Sequence, residues 1–118
     1  MAESRSHITL VNTIVKYVHS ILPKEVAMLV QYDSPDTLTR PEIVCDQFIP
    51  DVFFEYNGTL IIGEAKTIHD FDRKHSREQF ISYLNRCDSF YGNSRLIVSL
   101  PWELIASGKN YFRDIKKK

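Results

Sequence analysis

The chain has 118 residues and a mass of 13.8 kDa, which predicts one domain with a single core and excludes a multidomain enzyme. Hydrophobic residues make up 43% and charged residues 25%, proportions that predict a folded globular protein rather than a disordered chain. No apolar run reaches the roughly 20 residues of a membrane span, and the first residues lack the basic and then apolar order of a signal peptide. We therefore expect a cytoplasmic protein with no membrane partner.

The charges balance, because 15 Lys and Arg residues and 15 Asp and Glu residues give a formal net charge of zero. This balance disfavours a protein that coats nucleic acid non-specifically, although it allows a local basic surface. Basic residues gather in the segment 73–77 and in the last ten residues, where the terminal lysines are typical of a solvated tail. Cys45 and Cys87 are too few and too far apart for a disulfide framework or a zinc site, so we expect both to be reduced.

The first predicted element is a helix between Ser6 and Leu22, where apolar residues recur at three- and four-residue spacing. Pro23 ends this helix. A run from Val26 to Tyr32 favours a first strand, and turn residues follow from Asp33 onward. The segment 33–45 shows no clear pattern.

The clearest local signal is a predicted β-hairpin over 51–66. Its two strands flank Asn57-Gly58, the preferred residue pair of a two-residue type I′ loop. A loop of this length fixes the register of the strands. Counting outward from Tyr56, which faces Thr59, sets Asp51 opposite Glu64.

A helix, a strand and a second helix are predicted for the remaining chain. Ser76 is expected to cap a helix with a buried stripe formed by Phe80, Leu84 and Cys87, ending near 91–92. A strand over 95–100 follows, and a helical segment then begins at Pro101 and is interrupted or ended at Gly108. The order α-β-β-β-α-β-α predicts an α/β fold.

Three charged side chains meet at one end of the predicted hairpin. Asp51 lies opposite Glu64, and Lys66, two residues further, points to the same face. Two carboxylates this close repel each other unless a cation lies between them, and oxygen ligands suit Mg²⁺ or Mn²⁺. The alternative is an ion-paired group on a solvated sheet face. The apolar runs 59–63 and 96–100 predict interior strands, where a charge needs a stronger reason than solvation.

These residues resemble the signature of the PD-(D/E)XK nuclease superfamily, in which Pro50-Asp51 and Glu64-Ala65-Lys66 are separated by twelve residues. Gln79 and Tyr83 resemble the Gln-x-x-x-Tyr motif of its RecB-type branch, and the short chain is similar to small stand-alone virus-type replication-repair nucleases. The resemblance covers about residues 8–100. It implies the restriction-endonuclease-like fold, with an α-β-β-β-α-β core and a mixed four-stranded sheet flanked by helices.

The resemblance also implies a role for each signature residue. Asp51, Glu64 and the Ala65 carbonyl would bind Mg²⁺, for which Mn²⁺ is expected to substitute. Lys66 would activate the attacking water and stabilise the charge that develops on the phosphate, a role that its residue type supports independently.

Several further residues extend this predicted site. Gln79 and Tyr83 would position Lys66 or the DNA backbone, although by themselves they also fit a polar pair at the solvent edge. Many relatives supply another ligand from the first helix, where Glu3 and His7 are the candidates and a surface histidine is the alternative.

Two groups of polar residues follow Lys66. Arg73, Lys74 and Arg77 lie where the next helix begins and are predicted to bind phosphates. The two histidines and two aspartates of 69–75 lack the spacing of a metal site, so we interpret them as a polar loop near the substrate path. The aromatic residues expected in the core or at an interface, rather than as base-stacking platforms, are Tyr17, Tyr32, Trp102 and Tyr111.

These patterns lead to one main hypothesis, a small Mg²⁺- or Mn²⁺-dependent nuclease that hydrolyses phosphodiester bonds in DNA and forms a homodimer. Endonuclease and exonuclease action on linear or branched DNA are equally compatible with the sequence. One alternative is a catalytically weak or inactive module of this fold that binds nucleic acid or a protein partner. Another is a small α/β protein in which the charged triad is accidental.

Overall fold

The computed structural model describes residues 5–33, 40–42 and 45–116. Its elements in chain order are helices α1 (Arg5–Ile21) and α2 (Lys24–Ala27), strands β1 (Gln31–Tyr32), β2 (Val52–Tyr56) and β3 (Thr59–Ala65), helix α3 (Lys74–Asp88), strand β4 (Asn93–Ser99), a 3₁₀ turn (Trp102–Leu104) and helix α4 (Ile105–Lys116). The predicted order of elements is confirmed, with α2 as an additional short helix. Most of the predicted loop over 33–45 and the terminal lysines 117–118 lie outside the described residues.

The four strands form one mixed sheet in the order β1-β2-β3-β4. Strand β2 is antiparallel to both β1 and β3, whereas β4 is parallel to β3. Apolar residues of α1 pack on one face of the sheet, and those of α3 and α4 pack on the other. The structure is therefore an α/β fold with a mixed four-stranded sheet flanked by helices, as predicted.

The β2–β3 hairpin has the predicted register. Tyr56 faces Thr59 and Val52 faces Gly63. Asn57 and Gly58 both have positive φ angles, 52° and 80°, as a type I′ turn requires. Asp51 directly precedes β2 and therefore lies opposite Glu64, near the end of β3.

Only one of the two strands predicted to be interior has a neighbour on both sides. Strand β3 lies between β2 and β4 and is buried along nearly all its length. Within the described residues β4 is an edge strand, so that prediction is wrong for 96–100. Helices cover both faces of β4, with Ile97 towards one core and Leu96 and Val98 towards the other. Its apolar run reflects this coverage of the faces and carries no information about the edge.

The predicted strand from Val26 to Tyr32 is wrong over most of its length. The Pro23 carbonyl accepts hydrogen bonds from Val26 and Ala27, each at 3.1 Å, which makes this segment helical as α2. Only Gln31 and Tyr32 pair with β2. A β-favouring composition is therefore overridden by local helical hydrogen bonding after proline.

The predicted bounds of the third helix also need correction. Helix α3 begins at Lys74, two residues before Ser76. The Ser76 hydroxyl donates to the Asp70 carbonyl at 2.6 Å and does not cap the helix. It ends at Asp88 rather than near Gly92. Gly92 instead allows a close approach to the hairpin turn, since a side chain there would collide with the Gly58 carbonyl.

The C-terminal helix is not interrupted at Gly108, which lies within α4 and is buried. A Cβ at this position would lie 2.6 Å from Leu100 Cδ1, so the glycine permits close packing of α4. The predicted helix break is therefore wrong, because the packing of the helix outweighs the low helix propensity of glycine.

Two of the aromatic residues expected in the core or at an interface are not in the core. Trp102 is 83% exposed and Tyr17 is 47% exposed, whereas Tyr32 and Tyr111 are half-buried and pack against the two cores.

Among the helices of the described ranges, none combines the length and the apolar character needed to cross a bilayer.

Gly63 allows α1 to pack closely against the sheet. A Cβ at this position would lie 2.9 Å from both Ile14 Cγ2 and Val52 Cβ, and neither of these branched side chains has room to turn away. Gly63→Ala is expected to lower the free energy of unfolding by about 1–3 kcal/mol, measured by urea denaturation. Gly108→Ala is the control, because its methyl group meets the flexible end of Leu100 and gains about 1 kcal/mol of helix propensity. Equal losses of stability in the two variants would contradict this interpretation.

Candidate functional site

The predicted charged group lies at the end of β3, where Glu64 and Ala65 close the strand and Lys66 follows it. Asp51 directly precedes β2 on the neighbouring strand. All three charged residues are buried: Asp51 is 8% exposed, Glu64 4% and Lys66 7%. The alternative of a solvated sheet face is therefore wrong, although Lys66 and Glu64 do form an ion pair. Charges buried this deeply need partners or a bound ion to compensate for their lost hydration.

The Asp51 carboxylate is held by two contacts from different parts of the chain. Its Oδ2 atom accepts a hydrogen bond from the Ala65 backbone N–H at 3.0 Å. The same oxygen lies 3.2 Å from Nε2 of His7, which belongs to α1. These contacts join the start of β2, the end of β3 and the first helix at one carboxylate.

His7 is thus the first-helix candidate that the structure brings to the site, and Glu3 lies outside the described residues. A sequence signal for this position exists in the apolar stripe of α1. His7 precedes Val11 by four residues and Ile14 by seven, so all three share the face that packs on the sheet. A histidine at the start of that stripe points towards the sheet and away from solvent.

Neighbouring groups shift the pKa of Glu64 in opposite directions. The Tyr83 hydroxyl donates a hydrogen bond to Oε1 at 3.1 Å, and Lys66 Nζ lies 3.6 Å from Oε2. Burial and then the neighbouring Asp51 carboxylate raise the pKa of Glu64 to about 8, and Lys66 opposes the increase only in part. Lys66 therefore compensates the two carboxylates only in part, and the raised pKa favours the protonated form of Glu64.

A chain of hydrogen bonds links Lys66 to Glu64 through α3. Lys66 Nζ donates to Gln79 Oε1 at 2.5 Å, and Gln79 Nε2 donates to the Tyr83 hydroxyl at 3.2 Å. An ammonium group can only donate, so the Gln79 amide must present its oxygen to Lys66 and its NH₂ group to Tyr83. The Tyr83 proton is then directed to Glu64.

Gln79 and Tyr83 are both buried, at 7% and 0% exposure, so their interpretation as a polar pair at the solvent edge is wrong. Burial, with the nearby Glu64 charge, raises the pKa of the Tyr83 hydroxyl. That hydroxyl therefore keeps its proton and acts as a hydrogen-bond donor to Glu64. Gln79 contacts Lys66 directly, whereas Tyr83 contacts Gln79 and Glu64, so the two residues share one face of α3 as their spacing predicts.

The donor atoms at this site fit some metals better than others. Within the described residues, no three or more His, Cys, Asp and Glu side chains form a group able to hold a metal ion. The Asp51 and Glu64 carboxylates, with the nearby Ala65 carbonyl, are oxygen donors and would leave several positions to water. Mg²⁺ is usually bound by one or two carboxylates and water, whereas structural Zn²⁺ takes four nitrogen or sulfur ligands. The donor chemistry therefore fits Mg²⁺ or Mn²⁺.

The three basic residues predicted to bind phosphate lie at the start of α3. Arg73 and Lys74 are exposed, and Arg77 is half-buried one turn further. The Arg73 side chain donates from Nε to the His69 carbonyl at 2.5 Å, which holds the preceding loop. At about 1.5 Å per residue, Lys74 is about 7.5 Å along the helix axis from Gln79. The basic residues therefore lie at the start of the helix that carries Gln79.

The polar loop between β3 and α3 is engaged in local contacts. Asp70 Oδ2 accepts a hydrogen bond from the Thr67 hydroxyl at 2.9 Å. The His75 ring packs edge-on against Phe48, with 5.3 Å between the ring centroids. These contacts organise the chain between Lys66 and α3.

Comparisons of the chain with protein-family models, curated proteins and solved structures found no match. The function is therefore argued from the chemistry of the site itself.

The raised pKa of Glu64 leads to a predicted pH dependence of stability in the metal-free protein. Glu64 has a pKa of about 8 when folded and an ordinary value of 4.5, so between these values the folded state retains a proton that the unfolded chain has released. Stability should therefore fall as the pH rises from about 5 to about 8, by at most about tenfold in the folding equilibrium constant per pH unit. Urea denaturation in EDTA across this range measures the effect.

Glu64→Gln is the matched variant for this measurement, because it keeps an acceptor for Tyr83 and has no titrating group. The two proteins differ only at this position, so the difference between the two stability curves isolates Glu64. That difference should grow with pH in favour of the variant. Parallel curves would show that Glu64 ionises normally in the folded protein.

Proposed function

We propose that this protein is a Mg²⁺- or Mn²⁺-dependent deoxyribonuclease of the PD-(D/E)XK type, with a restriction-endonuclease-like fold. One observation carries the proposal: Asp51, Glu64 and Lys66 are buried together at a strand end, where ionising both carboxylates would place two negative charges beside one positive charge. A structural ion pair needs one carboxylate for one lysine. A second buried carboxylate is costly unless it serves to bind a cation.

Each side chain of the proposed site has a defined task. Metal bound at Asp51 and Glu64 would supply Lewis acidity towards water and the phosphate oxygens. The Ala65 N–H and His7 hold Oδ2 of Asp51, and Tyr83 holds Oε1 of Glu64. These contacts fix the orientation of both carboxylates before substrate binds.

Lys66 is the proposed electrostatic catalyst. One of its three N–H donors is bonded to Gln79 and the ammonium group lies 3.6 Å from Glu64 Oε2, which leaves a donor for the attacking water or a phosphate oxygen. Negative charge increases on the phosphate in the transition state, so a fixed ammonium group stabilises the transition state more than the ground state. Gln79 is thereby a positioning residue for Lys66.

We propose DNA as the substrate and Arg73, Lys74 and Arg77 as its phosphate contacts. The protein has no net charge to attract a polyanion as a whole. Binding would instead rely on this local basic group at the start of α3, the helix that also carries Gln79 and Tyr83.

A second candidate is a module of the same fold with weak or no catalysis, which binds nucleic acid or a protein partner. The observation that favours it is the hydrogen bonding of the site, since each carboxylate has contacts within the protein. A cation must compete with these contacts. Metal binding therefore distinguishes the two candidates.

Lys66→Ala is expected to lower the rate of DNA cleavage by about 10²–10³-fold, because it removes a preorganised charge from the transition state. Mn²⁺ binding should be retained or slightly tightened, since a like charge beside the cation is removed. Asp51→Ala should lose both binding and cleavage. Calorimetric titration with Mn²⁺ and cleavage of single-stranded, duplex and branched DNA measure these effects, with the exposed Lys109→Ala as the control.

Two results would contradict the nuclease assignment. Equal Mn²⁺ binding by the wild-type protein and Asp51→Ala would show that the metal is not bound at this hairpin. Activity per folded molecule unchanged in Lys66→Ala, with loss of stability, would show that Lys66 is only a structural ion-pair partner.

We also propose a homodimer, because twofold symmetry is the commonest assembly and lets a small nuclease contact two strands. Sedimentation at tens of micromolar should give a species of twice 13.8 kDa. A species of 13.8 kDa under these conditions would contradict the dimer and would favour action on one strand at a time.

A further inference from the structure

Trp102 is the only tryptophan of the chain, and it is 83% exposed. Tryptophan is highly buried on average, so an indole this exposed needs an explanation. It begins the 3₁₀ turn that follows β4. Pro101 restricts the backbone before it, and the Leu104 N–H closes the turn on the Pro101 carbonyl at 2.9 Å. The ring is thus presented by an ordered turn between β4 and α4.

This turn lies at the same end of the sheet as the charged site. Strands β3 and β4 are parallel, and Ala65 pairs with Ser99. The Lys66 N–H also donates to the Ser99 carbonyl at 3.1 Å. Trp102 is three residues beyond Ser99, so their Cα atoms are separated by at most about 11 Å. A nucleic acid strand covers that distance with a few nucleotides.

The residues that follow Trp102 in the chain favour an uncharged, flat ligand. Ile105, at the start of α4, is also exposed. Glu103, the next residue in the chain, is exposed and would repel a phosphate. Phosphates are therefore better accommodated near the basic start of α3, whereas the indole suits the face of a base.

We infer that Trp102, contrary to the expectation from the sequence, is a stacking platform for an unpaired nucleobase next to the charged site. The inference rests on the proposed nuclease function and specifies its substrate as a single strand or a single-stranded end. Bases inside a duplex already stack on their neighbours, and an enzyme must separate them before an indole can contact their faces. Blunt duplex DNA should therefore bind more weakly than a single strand of equal length.

Because Trp102 is the only tryptophan, its fluorescence reports directly on the proposed contact. The full-length protein in EDTA is titrated with oligothymidine and, separately, with a blunt duplex of equal length. Excitation at the red edge of the tryptophan band avoids the tyrosines. The single strand should quench Trp102 emission in a saturable way, and the duplex should quench it much less. No cleavage takes place in EDTA, so the readout does not depend on activity.

Substitutions test whether the ring itself provides the binding energy. Trp102→Ala should weaken binding of a labelled single strand by about 5- to 100-fold, measured by fluorescence anisotropy. Trp102→Phe should retain most of the affinity, whereas Trp102→Leu, which is apolar but not flat, should not. Tyr91→Ala is the matched control, because Tyr91 is fully exposed near the opposite end of β4. Circular dichroism verifies that all variants are folded.

Three results would overturn the inference. Stacking would be excluded if single-stranded DNA bound, as measured by anisotropy, without changing Trp102 emission. It would also be excluded if single-stranded DNA bound Trp102→Ala as tightly as the wild type. In either case Lys66-dependent cleavage would still support the nuclease. No binding of any DNA would overturn both proposals. Emission that changes on dilution, together with a smaller sedimenting species for Trp102→Ala, would assign Trp102 to an interface between copies.

Discussion

Repulsion between two buried carboxylates is the constraint on which the rest of the site depends. Asp51 and Glu64 face each other where hydration is almost lost, so the chain must supply compensating groups. It does so with a backbone N–H, a histidine, a tyrosine hydroxyl and one lysine. These groups reduce the cost of the pair without neutralising it, which is why a divalent cation is the ligand that its chemistry favours.

The compensating groups come from both faces of the sheet. Helix α1 contributes His7 from one side, and α3 contributes Gln79 and Tyr83 from the other. Gly63 allows α1 to approach closely, one residue before the buried glutamate. The geometry of the carboxylates therefore depends on the packing of two separate cores.

The same hydrogen bonds explain why the internal contacts of the carboxylates compete with the binding of a cation. Without a cation, Tyr83 and Lys66 stabilise Glu64, and the Ala65 N–H stabilises Asp51. A bound cation has to stabilise the two carboxylates more than these internal contacts do. The balance is set by the remaining repulsion between the carboxylates, which is larger when both are ionised. A catalytic and a merely structural version of this fold therefore differ by small changes around the same residues.

Short-range patterns in the sequence determined the part of the site that lies on the hairpin. Asn57-Gly58 favours a two-residue turn, and that turn sets the cross-strand pairs from Tyr56–Thr59 to Val52–Gly63. The opposition of Asp51 and Glu64 follows from that register, and the position of Lys66 follows from the alternation of side chains along β3. The helical spacing of Gln79 and Tyr83 likewise placed them on one face of α3.

Contacts between distant segments decided the remainder, and only the tertiary structure shows them. The approach of His7 to Asp51 depends on how α1 crosses the sheet, and the edge position of β4 depends on which strands pair. The exposure of Trp102 depends on where the turn after β4 ends. Composition reports that a residue is apolar or charged, but its burial is determined by packing against parts of the chain that are far away in sequence.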